Sequence, residues 1–287
     1  MTLDDWARLG SYHSVGRHRF FVVDTGGDKP PLLVLHGYPT SSHDYHRVLP
    51  TLAERYRVIV HDHLGFGLSD KPAEYSYSLL EQTDQAVTLW RALGVRRAHL
   101  VAHDYGTSIA TELMARRIEG DKSVEFASLT LSNGSVHIEL AKLRFIQKLL
   151  RNRLTGPIVA RLSSKRIFRA NMRQLWADPS KLGDEEICLM WAFLTRDQGK
   201  KRLHKITQYL RDRVRYWDRW VGALKVCDIP THVLWGAEDP ITGGDVARVH
   251  HREIPNSTLT LLDGVGHYPM LESPDRWADA LMRHLPA

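Results

Sequence analysis

Residues 98–118 read AHLVAHDYGTSIATELMARRI. The first five, Ala98-His99-Leu100-Val101-Ala102, form a short apolar run of the size of a buried strand, and Ser108 to Ile118 carries helical spacing. Between them stands Ala102-His103-Asp104-Tyr105-Gly106, which has the frame small-x-nucleophile-x-Gly. A chain that passes from strand to helix in so few residues turns sharply, so bulk is excluded on either side of the turn. The middle side chain is then pushed out above the strand ends, close to the free N–H groups of the helix start. Serine is the usual occupant of that position, and here it is an aspartate. Asp104 would equally serve as N-cap of the following helix, a common role for this residue type, so the frame alone leaves both readings open.

Working outward, short apolar runs alternate with helical patterns. Strands are expected at Arg19 to Val23, Leu32 to Leu35, Arg57 to Val60 and Leu129 to Leu131, with a helix from Leu79 to Leu93 closed by Gly94. From about Ser135 to Trp220 the spacing is helical, without a convincing strand. Alternation resumes with a strand at Thr231 to Gly236, a helix near Asp245 to Glu253 and a strand at Thr258 to Leu262. A last helix follows, with Ser273 as N-cap and Pro274 as first residue. Strict alternation predicts an α/β fold, a mostly parallel doubly wound sheet with an inserted all-helical cap. The expected division is 1–134 and 221–287 for the core and 135–220 for the cap.

Two further residues follow Asp104 at predicted strand ends. Asp239 stands in Gly236-Ala237-Glu238-Asp239-Pro240, and His267 in Gly264-Val265-Gly266-His267. In doubly wound sheets ligands bind at the carboxyl ends of strands, and the order nucleophile, acid, histidine is that of a catalytic triad. His36-Gly37-Tyr38-Pro39 ends another strand. It would supply the Tyr38 N–H, which with the Tyr105 N–H makes an oxyanion hole. Gly65-Phe66-Gly67 lacks the spacing of a dinucleotide site. His61 and His63 alternate at a strand end but have no evident third ligand. His250-His251 reads as an exposed helix face.

The 287 residues carry 39 Lys and Arg against 33 Asp and Glu. The charge is uneven, with 19 basic and 6 acidic residues from Lys142 to Arg215. Such a segment is either a solvated helical surface or a patch for an anionic lipid surface. No nucleic-acid motif accompanies it, so nucleic acid is not expected as a partner. Cys188 and Cys227 make no disulfide framework or metal spacing, and the acidic start of the chain lacks the apolar core of a signal peptide, so a cytoplasmic location is expected. The oligomeric state stays open, with a homodimer among the options.

Taken in order, these motifs resemble the Asp-nucleophile branch of the α/β-hydrolases, which holds epoxide hydrolases and haloalkane dehalogenases. The stretches His36 to Tyr45, Leu64 to Pro72, His103 to Gly106, Gln208 to Leu224 and Gly264 to Glu272 also resemble its mesoderm-specific transcript subgroup. The resemblance implies an α/β-hydrolase fold with a helical cap, a small apolar substrate, water as co-substrate, and neither cofactor nor metal. A carboxylate that attacks saturated carbon gives a stable alkyl ester, which water must then cleave. That chemistry suits epoxides, alkyl halides or strained lactones. Dehalogenases of the branch place Asn after His-Gly and Trp after the nucleophile, where this chain has Tyr38 and Tyr105. The resemblance therefore implies an epoxide hydrolase, with a haloalkane dehalogenase or β-lactone-acting relative as the alternative. Epoxide hydrolases protonate the leaving oxygen with cap tyrosines. Tyr209 stands at about the expected distance before Asp239, with Tyr216 as its competitor. The usual first cap tyrosine has no counterpart, and His137 and Asn152 are the polar candidates in its place. His36, Tyr38 and Tyr105 are assigned to the oxyanion and substrate-binding loop.

Overall fold

The computed structural model describes residues 1–285. Eight strands form one sheet: β1 Ser11–Val15, β2 His18–Asp24, β3 Pro31–Leu35, β4 Arg57–His61, β5 Arg97–His103, β6 Glu125–Ser132, β7 Thr231–Gly236 and β8 Ser257–Leu262. Their order is β1-β2-β4-β3-β5-β6-β7-β8. The pairs β1/β2 and β2/β4 are antiparallel, and every other pair is parallel. The runs Leu32–Val34 and Val58–Val60 lie side by side in register and are wholly buried, as expected for parallel strands covered on both faces.

From β3 the chain moves outward to β4 and then returns to the other flank of β3 as β5. The order reverses between β3 and β5, so the loops after these two strands border the crevice where such sheets take ligands. Those loops carry Tyr38 and Asp104. Helices Leu79–Ala92 and Trp217–Lys225 pack on helix Tyr105–Ile118, and helix Pro274–His284 packs on β7 and β8.

Between β6 and β7 there are helices and no strand. Helix Trp217–Lys225 spans the boundary expected at 220 and packs against helix Tyr105–Ile118. Among the described residues no helix is long and apolar enough to cross a membrane.

The structure corrects three sequence expectations. β1 is an additional edge strand. Ser273 precedes the last helix, but its side chain makes no cap hydrogen bond. It also ends helix Pro269–Glu272, donating its N–H to the Pro269 carbonyl, and the tight junction sets its backbone away from capping geometry. His250 is buried rather than exposed: its Nε2 pairs with Ser135 Oγ at 2.8 Å and its ring packs near Trp235. Burial, then the neighbouring His137 and Arg213, pushes its pKa down to about 3. Only His251 of the pair reaches solvent.

Candidate active site

Asp104 has φ 43° and ψ −102°, a conformation that side-chain-bearing residues rarely adopt and that stores strain. The neighbours explain how the turn fits. A Cβ at Gly106 would lie 2.6 Å from Leu35 Cβ and 2.8 Å from the Leu35 carbonyl oxygen. One at Gly134 would lie 2.4 Å from Asp104 Cα. The Asp104 carboxylate makes no cap hydrogen bond, so the N-cap reading of the sequence fails. Its backbone carbonyl takes hydrogen bonds from the Thr107 N–H and hydroxyl, while Oδ2 accepts the Tyr38 N–H at 2.9 Å. The loop after β3 thus meets the turn after β5 as expected, and Tyr105, as the first residue of its helix, sits beside it.

Asp239 and His267 are brought together, with His267 Nδ1 2.7 Å from Asp239 Oδ2. Asp239 also accepts hydrogen bonds from the Ile241 and Thr242 N–H groups, the Thr242 hydroxyl and the Asn133 amide. Burial alone would raise its pKa. The His267 charge and this set of donors outweigh it and hold the carboxyl at about 2. Burial conversely lowers the His267 pKa, but Asp239, and then Asp104, overcome that and raise it above the ordinary value. A buried carboxylate that stays ionised fixes the imidazole with Nδ1–H toward it and leaves Nε2 free to accept a proton.

Two supports were not assigned from the sequence. Asn133 follows β6 with φ 43°, and its Oδ1 accepts the Gly236 N–H at 2.8 Å, tying the end of β6 to the Asp239 turn. Buried Glu272 accepts the N–H groups of Gly266, Ala177 and Asp178, and the Leu175 carbonyl accepts the His267 N–H. The cap therefore braces the loop that carries the histidine.

A third is Arg213, which the sequence placed among solvated cap cations. It is 3% exposed at the side chain. Its Nε donates to Ser108 Oγ at 2.8 Å, and its Nη2 donates to the Asp104 carbonyl at 2.9 Å and lies 3.8 Å from Asp104 Oδ1. Its guanidinium lies 4.7 Å from the Tyr209 ring centroid. Arg213→Met is expected to destabilise the fold by roughly 3 kcal/mol, because it breaks a buried charge pair and removes the guanidinium's hydrogen bonds to the Asp104 carbonyl and to Ser108 Oγ. Urea unfolding measures the loss, and an unchanged midpoint would show the contact to be dispensable.

Asp104, His267 and Tyr38 line a cavity beneath the cap. Its walls include Leu150, Phe168, Met172, Leu175, Trp191 and Leu194, with Arg144, Gln147, Ser163 and Asn171 as polar members. Tyr209 is not among the lining residues; it is buried behind them, against Tyr38 and Tyr105 at centroid distances of 5.6 and 5.2 Å, and its hydroxyl accepts a 3.4 Å hydrogen bond from Nε2 of the lining residue Gln147. Burial, followed by the Asp104 charge, raises its pKa. Tyr216 packs on Trp220 instead. His137 is held between Glu139 and Glu253, and Asn152 accepts the N–H groups of Leu154 and Thr155, so neither joins the cavity. His36 accepts the His63 N–H behind the Tyr38 loop and supports it. His61 and His63 are buried, and among the described residues their ring nitrogens have no hydrogen-bond partner. Among the described residues the converging metal-type donors are His43, His46 and Glu186, which join the Ser42–Tyr45 turn to helix Asp184–Thr195.

A model of the alpha/beta hydrolase fold matches residues 30–274. The chain belongs to the α/β-hydrolase family. Among relatives of this α/β-hydrolase, a Mycobacterium tuberculosis protein named LipZ is 37% identical over 97% of this chain and 96% of its own. The mouse mesoderm-specific transcript protein is 34% identical over 98% of this chain and 87% of its own. Two solved structures share the fold at low identity. The epoxide hydrolase CorEH superimposes with a TM-score of 0.77 at 18% identity, over 96% of this chain and 97% of its own. AncHLD2, named as an ancestral haloalkane dehalogenase, gives 0.77 at 22% over 95% and 96%. The α/β-hydrolase assignment agrees with the order Asp104, Asp239, His267 along the chain and with the elbow that carries Asp104.

Proposed function

We propose that this hydrolase opens epoxides to vicinal diols through an alkyl ester on Asp104. The observation that carries the reading is the carboxylate itself, set on the elbow in an apolar cavity, with the Tyr38 N–H on one oxygen and the His267–Asp239 pair beside it. In the first step an Asp104 oxygen bonds to a ring carbon as the ring C–O bond breaks, and the leaving oxygen takes the Tyr209 proton. In the second, His267 removes a proton from water, and the water oxygen attacks the Asp104 carbonyl carbon. The N–H groups of Tyr38 and Tyr105 hold the oxyanion. The tetrahedral centre collapses, the departing alkoxide takes the His267 proton, and the regenerated carboxyl proton returns to Tyr209. The sum is epoxide plus water to diol.

Tyr38 and Tyr105 offer no side-chain N–H to a departing halide, which favours the epoxide over the haloalkane. The test is diol formation from styrene oxide run beside halide release from a bromoalkane. Diol without halide is expected, and halide without diol would replace the reading by the dehalogenase one.

A pH dependence follows from His267. It must be neutral to accept the water proton, and its pKa is raised above 6.5. Ester hydrolysis is therefore expected to fall as pH drops through an inflection above 6.5. Single-turnover decay of the ester across the pH range reads it, and an inflection below 6.5 would contradict the coupling to Asp239.

A further inference from the structure

We propose that the first part of the cap docks on an anionic lipid bilayer, so that the cavity takes its substrate from the membrane; only this last clause rests on the proposed hydrolysis. From residue 140 to 177 the chain has ten Lys and Arg and no Asp or Glu. Arg169 and Arg173 pair with Asp184, but Lys142, Lys148, Arg153, Arg161, Lys165 and Arg166 have no carboxylate partner among the described residues. A face that is only basic would suit any polyanion.

The apolar side chains narrow the choice. Twelve large hydrophobic residues are exposed in the described chain, and six of them, Leu140, Phe145, Leu154, Ile158, Leu162 and Ile167, fall within 28 residues. Leu154 is 83% exposed, Phe145 75% and Leu162 71%. They recur at helical spacing with the cations: Phe145 with Lys148 on helix Phe145–Arg151, and Leu154, Ile158, Arg161 and Leu162 along helix Thr155–Leu162 and the residue before it. Apolar side chains interleaved with unpaired cations on short surface helices match the boundary between anionic headgroups and acyl chains, where both kinds of group are satisfied. A nucleic-acid backbone would leave the leucines, isoleucines and phenylalanine in water. The same segment borders the cavity: Arg144, Ile146, Ile167 and Asn171 line it, and Ile167 is 46% exposed. A bilayer on this surface would adjoin an apolar path to Asp104.

Flotation with vesicles tests the docking without turnover, so its failure and that of the epoxide reading are separable. The full chain is expected to float with phosphatidylglycerol–phosphatidylcholine vesicles and to bind pure phosphatidylcholine at least about tenfold more weakly. Raising NaCl from about 0.1 to about 0.5 M should release much of it. Leu154→Ser/Leu162→Ser and Lys148→Glu/Arg161→Glu change exposed positions outside the cavity. Each pair should lose binding about tenfold or more while melting and hydrolysis of a water-soluble epoxide stay unchanged. Absence of flotation with anionic vesicles would overturn the proposal. So would binding to a DNA duplex as tight as to vesicles and indifferent to the Leu154→Ser/Leu162→Ser change.

Discussion

Asp104→Ala is expected to lower diol formation by roughly 10⁴-fold or more while the protein remains folded, because the group that forms the first bond is gone and only binding and the oxyanion donors remain. The same position carries a stability signature. Both Asp104→Ala and Asp104→Gly remove the carboxylate and leave Arg213 with the same loss, but only glycine is at ease at φ 43°. The glycine variant is therefore expected to be more stable than the alanine variant by about 1–2 kcal/mol, the strain held by the elbow. Comparison of kcat with thermal midpoints for the two variants checks both parts. Equal midpoints would mean that the turn is unstrained, and surviving activity would remove Asp104 from the chemistry.

His267→Gln should have the second largest effect. The ring opening needs no base, so the ester should form at nearly its ordinary rate, whereas its hydrolysis loses the group that activates water and slows roughly 10³-fold. Rapid mixing should show one equivalent of epoxide consumed and then almost none. Mass measurement of the Asp104 peptide should find the mass of the whole epoxide added. A haloalkane would add only its alkyl group, and a variant that consumes nothing would place His267 in the first step. Glutamine preserves a polar group against Asp239, which keeps the buried carboxylate partnered and the loop braced by Glu272 in place.

The main elements were legible because buried parallel strands write short apolar runs, and Leu32 to Leu35, Val58 to Val60 and Val233 to Trp235 all do so. β1 was not, since Ser11–Val15 is an edge strand with largely exposed side chains and no apolar alternation. Asp104, Asp239 and His267 stood out because each lies just past a strand, where geometry leaves few residue types. Asn133 has the same placement after β6, and Ser132-Asn133-Gly134 was a usable signal, but asparagine in a loop reads as a turn former. Arg213 gave no signal: it stands among neighbouring basic residues, and only tertiary packing distinguishes the arginine buried under the cap from those in solvent. His250 misled for the related reason that its burial comes from Ser135 and Trp235, distant in sequence. Side chains from separate cap helices shape the cavity, so Gln147 and Asn171 carry no local pattern that would have singled them out.

The central claim is that an Asp104 oxygen, and not water, forms the first bond to the substrate. The direct measurement is a single turnover in ¹⁸O-water with enzyme in excess over styrene oxide, followed by mass analysis of the diol and of the Asp104 peptide. If the ester forms and water attacks its carbonyl carbon, the first diol is unlabelled, because its new oxygen came from the carboxylate, and the label appears in Asp104. Label in the diol after that first turnover, with Asp104 unlabelled, would mean that water attacks the epoxide directly and would contradict the account.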